Sequence, residues 1–227
     1  MAIVRKYNAT VEEIKNPLTD IFSVTFSSDK KFKYLPGQFL HLALDDYDGI
    51  GQWPESRCFS MQSDPNQAQL KITFSANGRF TKRMADELRE GKEVLLKLPY
   101  GDFFQRGHNK HNCVFIAGGT GITPFLSLFT DNSFSDYTTP KLYFGVRTNN
   151  YNIFSKELDL TKMINPDFDI TIVNQDQRGK LDINLIYEAN KDSVYFISGP
   201  PVMINNFKKY LLDQKISSEQ ILTDDWV

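Results

Sequence analysis

The sequence predicts a two-domain chain: an antiparallel β-barrel with one helix over residues 1–108, then an α/β doubly wound parallel sheet over residues 109–227. Three observations predict it. The 227 residues exceed a typical domain of ~100–150 residues and fall short of three such domains. The first half alternates strand-like runs with turn signals. From Cys113 onward, short apolar strands are spaced by helical segments, the rhythm of a parallel sheet covered on both faces.

In the first half, residues 21–26, 38–44, 70–75 and 93–98 read as strands, and residues 80–88 between the last two read as a helix. Pro36 with Gly37, Asp64 to Asn66, Asn77 with Gly78, and Pro99 to Gly101 supply the turns, because Pro presets φ and Gly and Asn tolerate φ above zero. Strands joined this way close into an antiparallel barrel. The polar run 107–112 is the expected boundary. Beyond it, residues 114–117, 142–146, 169–173, 194–198 and 220–223 read as strands. The uncharged stretch 113–129 is interrupted by glycines and a proline, so a buried strand, a turn and a helix start are expected there, rather than a membrane span of ~20 residues.

Composition narrows the function classes. With 26 basic against 28 acidic residues, nothing points to nucleic acid or an anionic membrane as partner. Cys58 and Cys113 cannot supply the ligands that a structural zinc or an iron–sulfur cluster takes from cysteine. Any electron-carrying cluster is therefore expected on another protein. His108 and His111 stand in a Gly- and Asn-rich run without nearby carboxylates, and no metal site is expected there. Residues 1–8 lead into no apolar core of ~7–15 residues, so a cytoplasmic protein without a secretion signal is expected. No nucleophile–base pairing or carboxylate dyad stands out, and hydrolytic chemistry is not expected.

The strongest chemical signal is Gly118, Gly119, Thr120, Gly121, Ile122, Thr123 and Pro124, directly after an apolar strand and before an apolar helix. Glycines let the backbone turn tightly and let a pyrophosphate approach with no Cβ in the way. With Thr123 as N-cap and Pro124 at the first helical position, free amides and the positive end of the helix dipole would face the loop. An anion belongs there. The usual dinucleotide fingerprint has a third glycine where this chain has Pro124, so context must identify the ligand.

That context lies in the first half. Along Arg57, Cys58, Phe59 and Ser60, strand alternation sends Arg57, Phe59 and Met61 to one face and Cys58 and Ser60 to the other. Arg offers a planar fork for phosphate oxygens, Phe a flat stacking surface and Ser a hydroxyl for a ring nitrogen. The Asn77–Gly78 turn opens a helix through Arg79, Phe80 and Thr81, where Thr81 is the expected cap and the helix start a second phosphate site. Together these suit a flavin nucleotide.

Arg57, Phe59 and Ser60; Gly78 and Thr81; residues 118–124; Gly145, Val146 and Arg147; and Ser198, Gly199 and Pro200 occur in the order and approximate spacing of one known family. Over essentially its whole length the chain resembles the ferredoxin-NADP reductase-like flavoprotein superfamily, in particular its stand-alone flavin and ferredoxin reductases without an iron–sulfur domain. The resemblance implies a flavin-dependent NAD(P)H oxidoreductase passing electrons through bound FAD, with FMN the other choice, to a separate ferredoxin- or flavodoxin-type acceptor. Two alternatives stay open: an NAD(P)H:flavin reductase using free flavin as substrate, and a non-catalytic flavin- or nucleotide-binding subunit of a larger redox complex.

By the same resemblance, Arg57 binds the flavin phosphate, Phe59 lies against the isoalloxazine and Ser60 hydrogen-bonds near N5. Cys58, in the same segment, is a further expected cofactor-binding residue, Ile72 and Thr73 supply main-chain contacts, and Gly78, Arg79, Phe80 and Thr81 hold the pyrophosphate of FAD. Gly119, Thr120, Gly121, Thr123 and Pro124 hold the nicotinamide nucleotide, with Arg147 near its phosphates or ribose and Ser198, Gly199 and Pro200 near its ring. Ser60 and Ser198 are the expected catalytic positions. Ser198 stands where many members carry Cys, and Phe59 where most carry Tyr, which removes a hydroxyl and retains the stacking surface. Trp226 resembles the final aromatic that shields the flavin in some members, and Asp224 or Asp225 is a candidate proton relay. Arg147 and Arg178 suit a 2′-phosphate that Asp176 would repel, leaving NADH and NADPH open. Lys82 with Arg83, and Lys208 with Lys209, are candidates for a basic docking face.

Overall fold

The computed structural model describes residues 3–224, and the chain divides into two compact units, Met1–Asp102 and Phe103–Val227. In the first unit, β1 (Arg5–Leu18), β2 (Ile21–Ser27), β3 (Phe39–Ala43), β4 (Ser56–Ser60), β5 (Leu70–Ser75) and β6 (Glu93–Tyr100) form one antiparallel sheet ordered β4-β3-β6-β1-β2-β5. Helix α1 (Arg79–Glu87) links β5 to β6. Period-two alternation builds the barrel core: Tyr7, Ala9 and Val11 of β1 meet Leu40 and Leu42 of β3 and Val94, Leu96 and Leu98 of β6. Helix α1 adds Phe80 and Met84, four residues apart and so on one helical face.

The outermost strands of the order, β4 and β5, meet just beyond the end of β4. There the Gln62 N–H donates to the Lys71 carbonyl at 2.8 Å, and the Thr73 hydroxyl to Gln62 Oε1 at 2.6 Å. The two strands themselves share no ladder among the described residues. The barrel is thus nearly closed, with one unpaired seam.

In the second unit, β7 (Cys113–Gly118), α2 (Thr123–Phe129), β8 (Lys141–Val146), α3 (Ser155–Ile164) and β9 (Asp169–Asn174) are followed by α4 (Gln175–Arg178), α5 (Ile183–Glu188), β10 (Val194–Ser198), α6 (Pro201–Asp213) and β11 (Ile221–Thr223). The strands pair in parallel in the order β11-β10-β7-β8-β9. Residues on β7 alternate between two cores. Phe115 joins Phe125, Phe129, Phe134 and Phe196 on one face, while Val114 and Ile116 join Tyr195, Ile197, Ile204 and Leu211 on the other. The chain winds outward from β7 to β9 and then returns to β10, so the carboxyl ends of β7 and β10 form a topological switch point.

The uncharged stretch 113–129 is β7, a 3-10 turn (Gly119–Ile122) and α2, and no described helix is long and apolar enough to cross a membrane. The division between units falls after Asp102, ahead of the polar run 107–112 expected to mark it. Phe103 and Phe104 stack at 4.8 Å and pack on Phe125 and Phe196, and His108 Nε2 lies 2.8 Å from the Tyr137 hydroxyl, which anchors the run to the second unit.

Candidate functional site

The strand motif lies along the seam of the barrel. Register sets Phe59 opposite Leu40 and Arg57 opposite Leu42, on the core-facing side, and Cys58 opposite His41 on the other. Phe59 is half-buried against Phe74, with ring centroids 5.9 Å apart. Cys58 Sγ is 3.5 Å from His41 Nε2, and burial raises its thiol pKa against a smaller lowering by Arg57. Cys58 is therefore on the opposite face of the strand from Phe59. Ser60 is 8% exposed, and its hydroxyl has no hydrogen-bond partner among the described residues.

Main-chain direction alternates along a strand, so the seam bond between Gln62 and Lys71 fixes which neighbours share that edge. Two residues from each, Ser60 and Thr73 present their main-chain groups to the open seam. Ile72, by contrast, pairs opposite Val24 and buries its side chain in the core. Of the expected pair, Thr73 is the one that faces the seam.

At the seam's neighbouring helix start, Gly78 is the N-cap of α1. Its N–H donates to Thr81 Oγ1 at 3.0 Å, and that hydroxyl donates back to the Gly78 carbonyl at 3.1 Å. Thr81 is thus the third helical residue, whose hydroxyl reaches back to the main chain of Gly78, and not the cap itself. The first turn holds no acidic residue. Arg57 Nη2 donates to Glu55 Oε1 at 3.0 Å, while Arg79 Nη2 reaches both Glu55 oxygens at 2.9 and 3.0 Å. The Arg57 guanidinium also lies 5.2 Å from the Phe80 ring centroid. Two guanidiniums, one of them carried by the first residue of α1, therefore converge on one carboxylate, a donor set that fits a phosphate. Glu55 escapes sequence reasoning because an acid in a Gly- and Pro-containing loop reads as solvated. Arg83, a candidate for a docking face, donates to Asp45 and Glu87, and these hydrogen bonds hold both carboxyl pKa values below their ordinary range.

In the second unit, the glycine turn sits at the switch point. Gly119 has φ +56° with nothing within 4 Å of where a Cβ would be, a left-handed cradle open to a ligand. A Cβ on Gly121 would lie 2.5 Å from the Gly199 Cα, so the turn and the end of β10 pack backbone to backbone. Because residues 119–122 already wind as a 3-10 turn, Thr123 opens α2, Pro124 follows it, and the Thr123 hydroxyl donates to the Thr120 carbonyl at 2.9 Å instead of capping amides. Pairing of Gly118 with Gly145 and of Ala117 with Ser198 brings residues 145–147 and 198–200 to the same sheet edge.

Exposed Arg147 has its guanidinium 5.5 Å from the Tyr151 ring centroid, and its carbonyl accepts the Asp176 N–H at 3.1 Å. Arg178 closes α4, exposed. Ser198 is 3% exposed and donates to Asp224 Oδ2 at 3.1 Å, while the Asp224 N–H donates to the Ile197 carbonyl at 3.0 Å. Asp225 and Trp226 lie outside the described residues. Around His108 both ring nitrogens are engaged, Nδ1 with the Arg106 carbonyl and Nε2 with Tyr137.

Residues 115–209 match the oxidoreductase NAD-binding domain family. The anthranilate 1,2-dioxygenase electron transfer component of Acinetobacter baylyi is 29% identical over 87% of this chain and 60% of its own length. The phenol hydroxylase P5 protein of Acinetobacter pittii is 28% identical over 98% of this chain and 66% of its own length. The chain thus spans about two thirds or less of these two relatives. Among solved structures, a ferredoxin NADP+ reductase from Neisseria gonorrhoeae with bound FAD and NADP superposes with a TM-score of 0.81 over 99% of both chains, at 18% identity. Residues 115–209 thus match the oxidoreductase NAD-binding domain family, and the chain as a whole has the two-domain fold of the ferredoxin NADP+ reductase.

Proposed function

We propose that this protein is an NAD(P)H-dependent flavoprotein reductase that binds FAD on the first unit and NAD(P)H on the second, and passes electrons to a separate ferredoxin- or flavodoxin-type acceptor. The observation that carries the reading is the convergence of Arg57 and Arg79 on one anionic group beside the unpaired seam of Phe59, Ser60 and Thr73. The relatives named as electron transfer components of oxygenase systems support it.

A bound flavin supplies the exchange between a two-electron donor and a one-electron acceptor. The chain supplies binding and orientation. Arg57 and Arg79 hold phosphate oxygens, assisted by the amides opening α1. Phe59 supports a ring plane, the Ser60 hydroxyl donates to a ring nitrogen, and the Thr73 main chain pairs with a polar ring edge. In the second unit, Gly119 and Thr120 receive the nucleotide's pyrophosphate. Asp224 fixes the Ser198 hydroxyl and leaves its oxygen free to accept from a nicotinamide amide.

The test is reconstitution with FAD, followed by NAD(P)H oxidation with ferredoxin or flavodoxin added. Turnover that rises with the acceptor protein supports the reading, and a chain that retains no flavin and oxidises neither nucleotide contradicts it. Glu55 bridging both arginines favours a second reading, in which free flavin exchanges as a substrate. In that case, turnover follows added flavin and ignores the acceptor protein.

A further inference from the structure

The connection between β3 and β4 is tied to α1 near both ends, by Asp45 to Arg83 at 2.8 Å and by Glu55 to Arg79 at 2.9 Å. Glu55 joins two guanidiniums, those of Arg57 and Arg79. Its side chain is 36% exposed, and those of Arg57 and Arg79 are 51% and 86% exposed. Charge holds this bridge without burial, and exposed ion pairs are weak. A phosphate offers more acceptor oxygens and up to two charges to the same two forks. Once a phosphate is there, the displaced carboxylate is left beside a like charge, which disfavours the bound state further.

Resting on the flavin reading above, we infer that Glu55 is a built-in competitor for the flavin phosphate. It occupies Arg57 and Arg79 until phosphate displaces it, and so loosens phosphorylated flavins while leaving the unphosphorylated ring system untouched. The contribution is specific to the phosphate end, because Glu55 bonds to the arginines and to none of Phe59, Ser60 or Thr73. The consequence is a flavin held by its ring and released at its phosphate.

Flavin-fluorescence titration of the whole chain and its Glu55→Gln variant with riboflavin, FMN and FAD tests this. Glu55→Gln is expected to bind FMN and FAD about 2–5-fold more tightly, with riboflavin unchanged. Added sodium chloride should shrink the gain, and the double variant with Arg79→Gln should lose most of it. Unchanged or weaker FMN and FAD binding in Glu55→Gln, or an equal gain for riboflavin, overturns the inference and leaves the flavin site standing. If neither protein binds any of the three flavins, the flavin reading falls and this inference falls with it.

Discussion

Arg57 reads as a phosphate ligand from its motif, and in the fold its guanidinium is met by Glu55 at 3.0 Å and stands over Phe80 at 5.2 Å. Replacing it with Gln removes the charged fork and leaves the strand intact. Arg57→Gln is therefore expected to weaken FAD binding about 10-fold by fluorescence titration, the scale of a hydrogen bond to a charged group, with little change in melting temperature. Phe59, Ser60 and the glycine turn are legible as candidates because the signal lies in their own residue types and their neighbours in sequence. Glu55 and Asp224 are not legible to the same degree. Glu55 acquires meaning from Arg79, which is distant in sequence, and Asp224 from the register that sets Ile197 beside Thr223. Thr81 and Thr123 keep the expected neighbourhood but use their hydroxyls differently, because local turn geometry decides which amides remain free.

Among the elements, strands with strict alternation are readable: β5 buries Leu70, Ile72 and Phe74, and β6 buries Val94, Leu96 and Leu98. β1 is not among the expected strands. Its flanking charges dilute the pattern, although Tyr7, Ala9 and Val11 alternate cleanly into the core. Helix α1 illustrates what sequence leaves out, since its Arg83 joins Asp45 across the loop and Glu87 one turn on. Hydrogen bonds from Arg83 hold both carboxyl groups below their usual pKa values. Their contribution is therefore present above the ordinary carboxylate range near pH 4 and is lost as pH falls through the depressed folded values. Urea denaturation midpoints from pH 7 down to pH 3 are expected to fall, and to fall less in Arg83→Gln, which starts lower. An equal fall in both proteins contradicts the ionic tie.

For the whole molecule, each unit has its own core, one barrel interior and one sheet buried on both faces. That division is legible because the hydrophobic period changes along the chain, whereas the boundary itself depends on where Phe103, Phe104 and His108 pack. Separate cores predict separable binding. Gly119→Val places a branched side chain at φ +56° in the open cradle, and is expected to weaken NAD(P)H binding about 10-fold or more while the FAD affinity stays within error. Loss of both affinities together would contradict two independent binding surfaces. The most direct measurement for the central claim is an anaerobic titration of the FAD-reconstituted chain with NADH and with NADPH, followed by flavin absorbance. The account predicts bleaching with an end point near one nucleotide per flavin for at least one of the two. A flavin that stays bound and fully oxidised in excess of both nucleotides would contradict it.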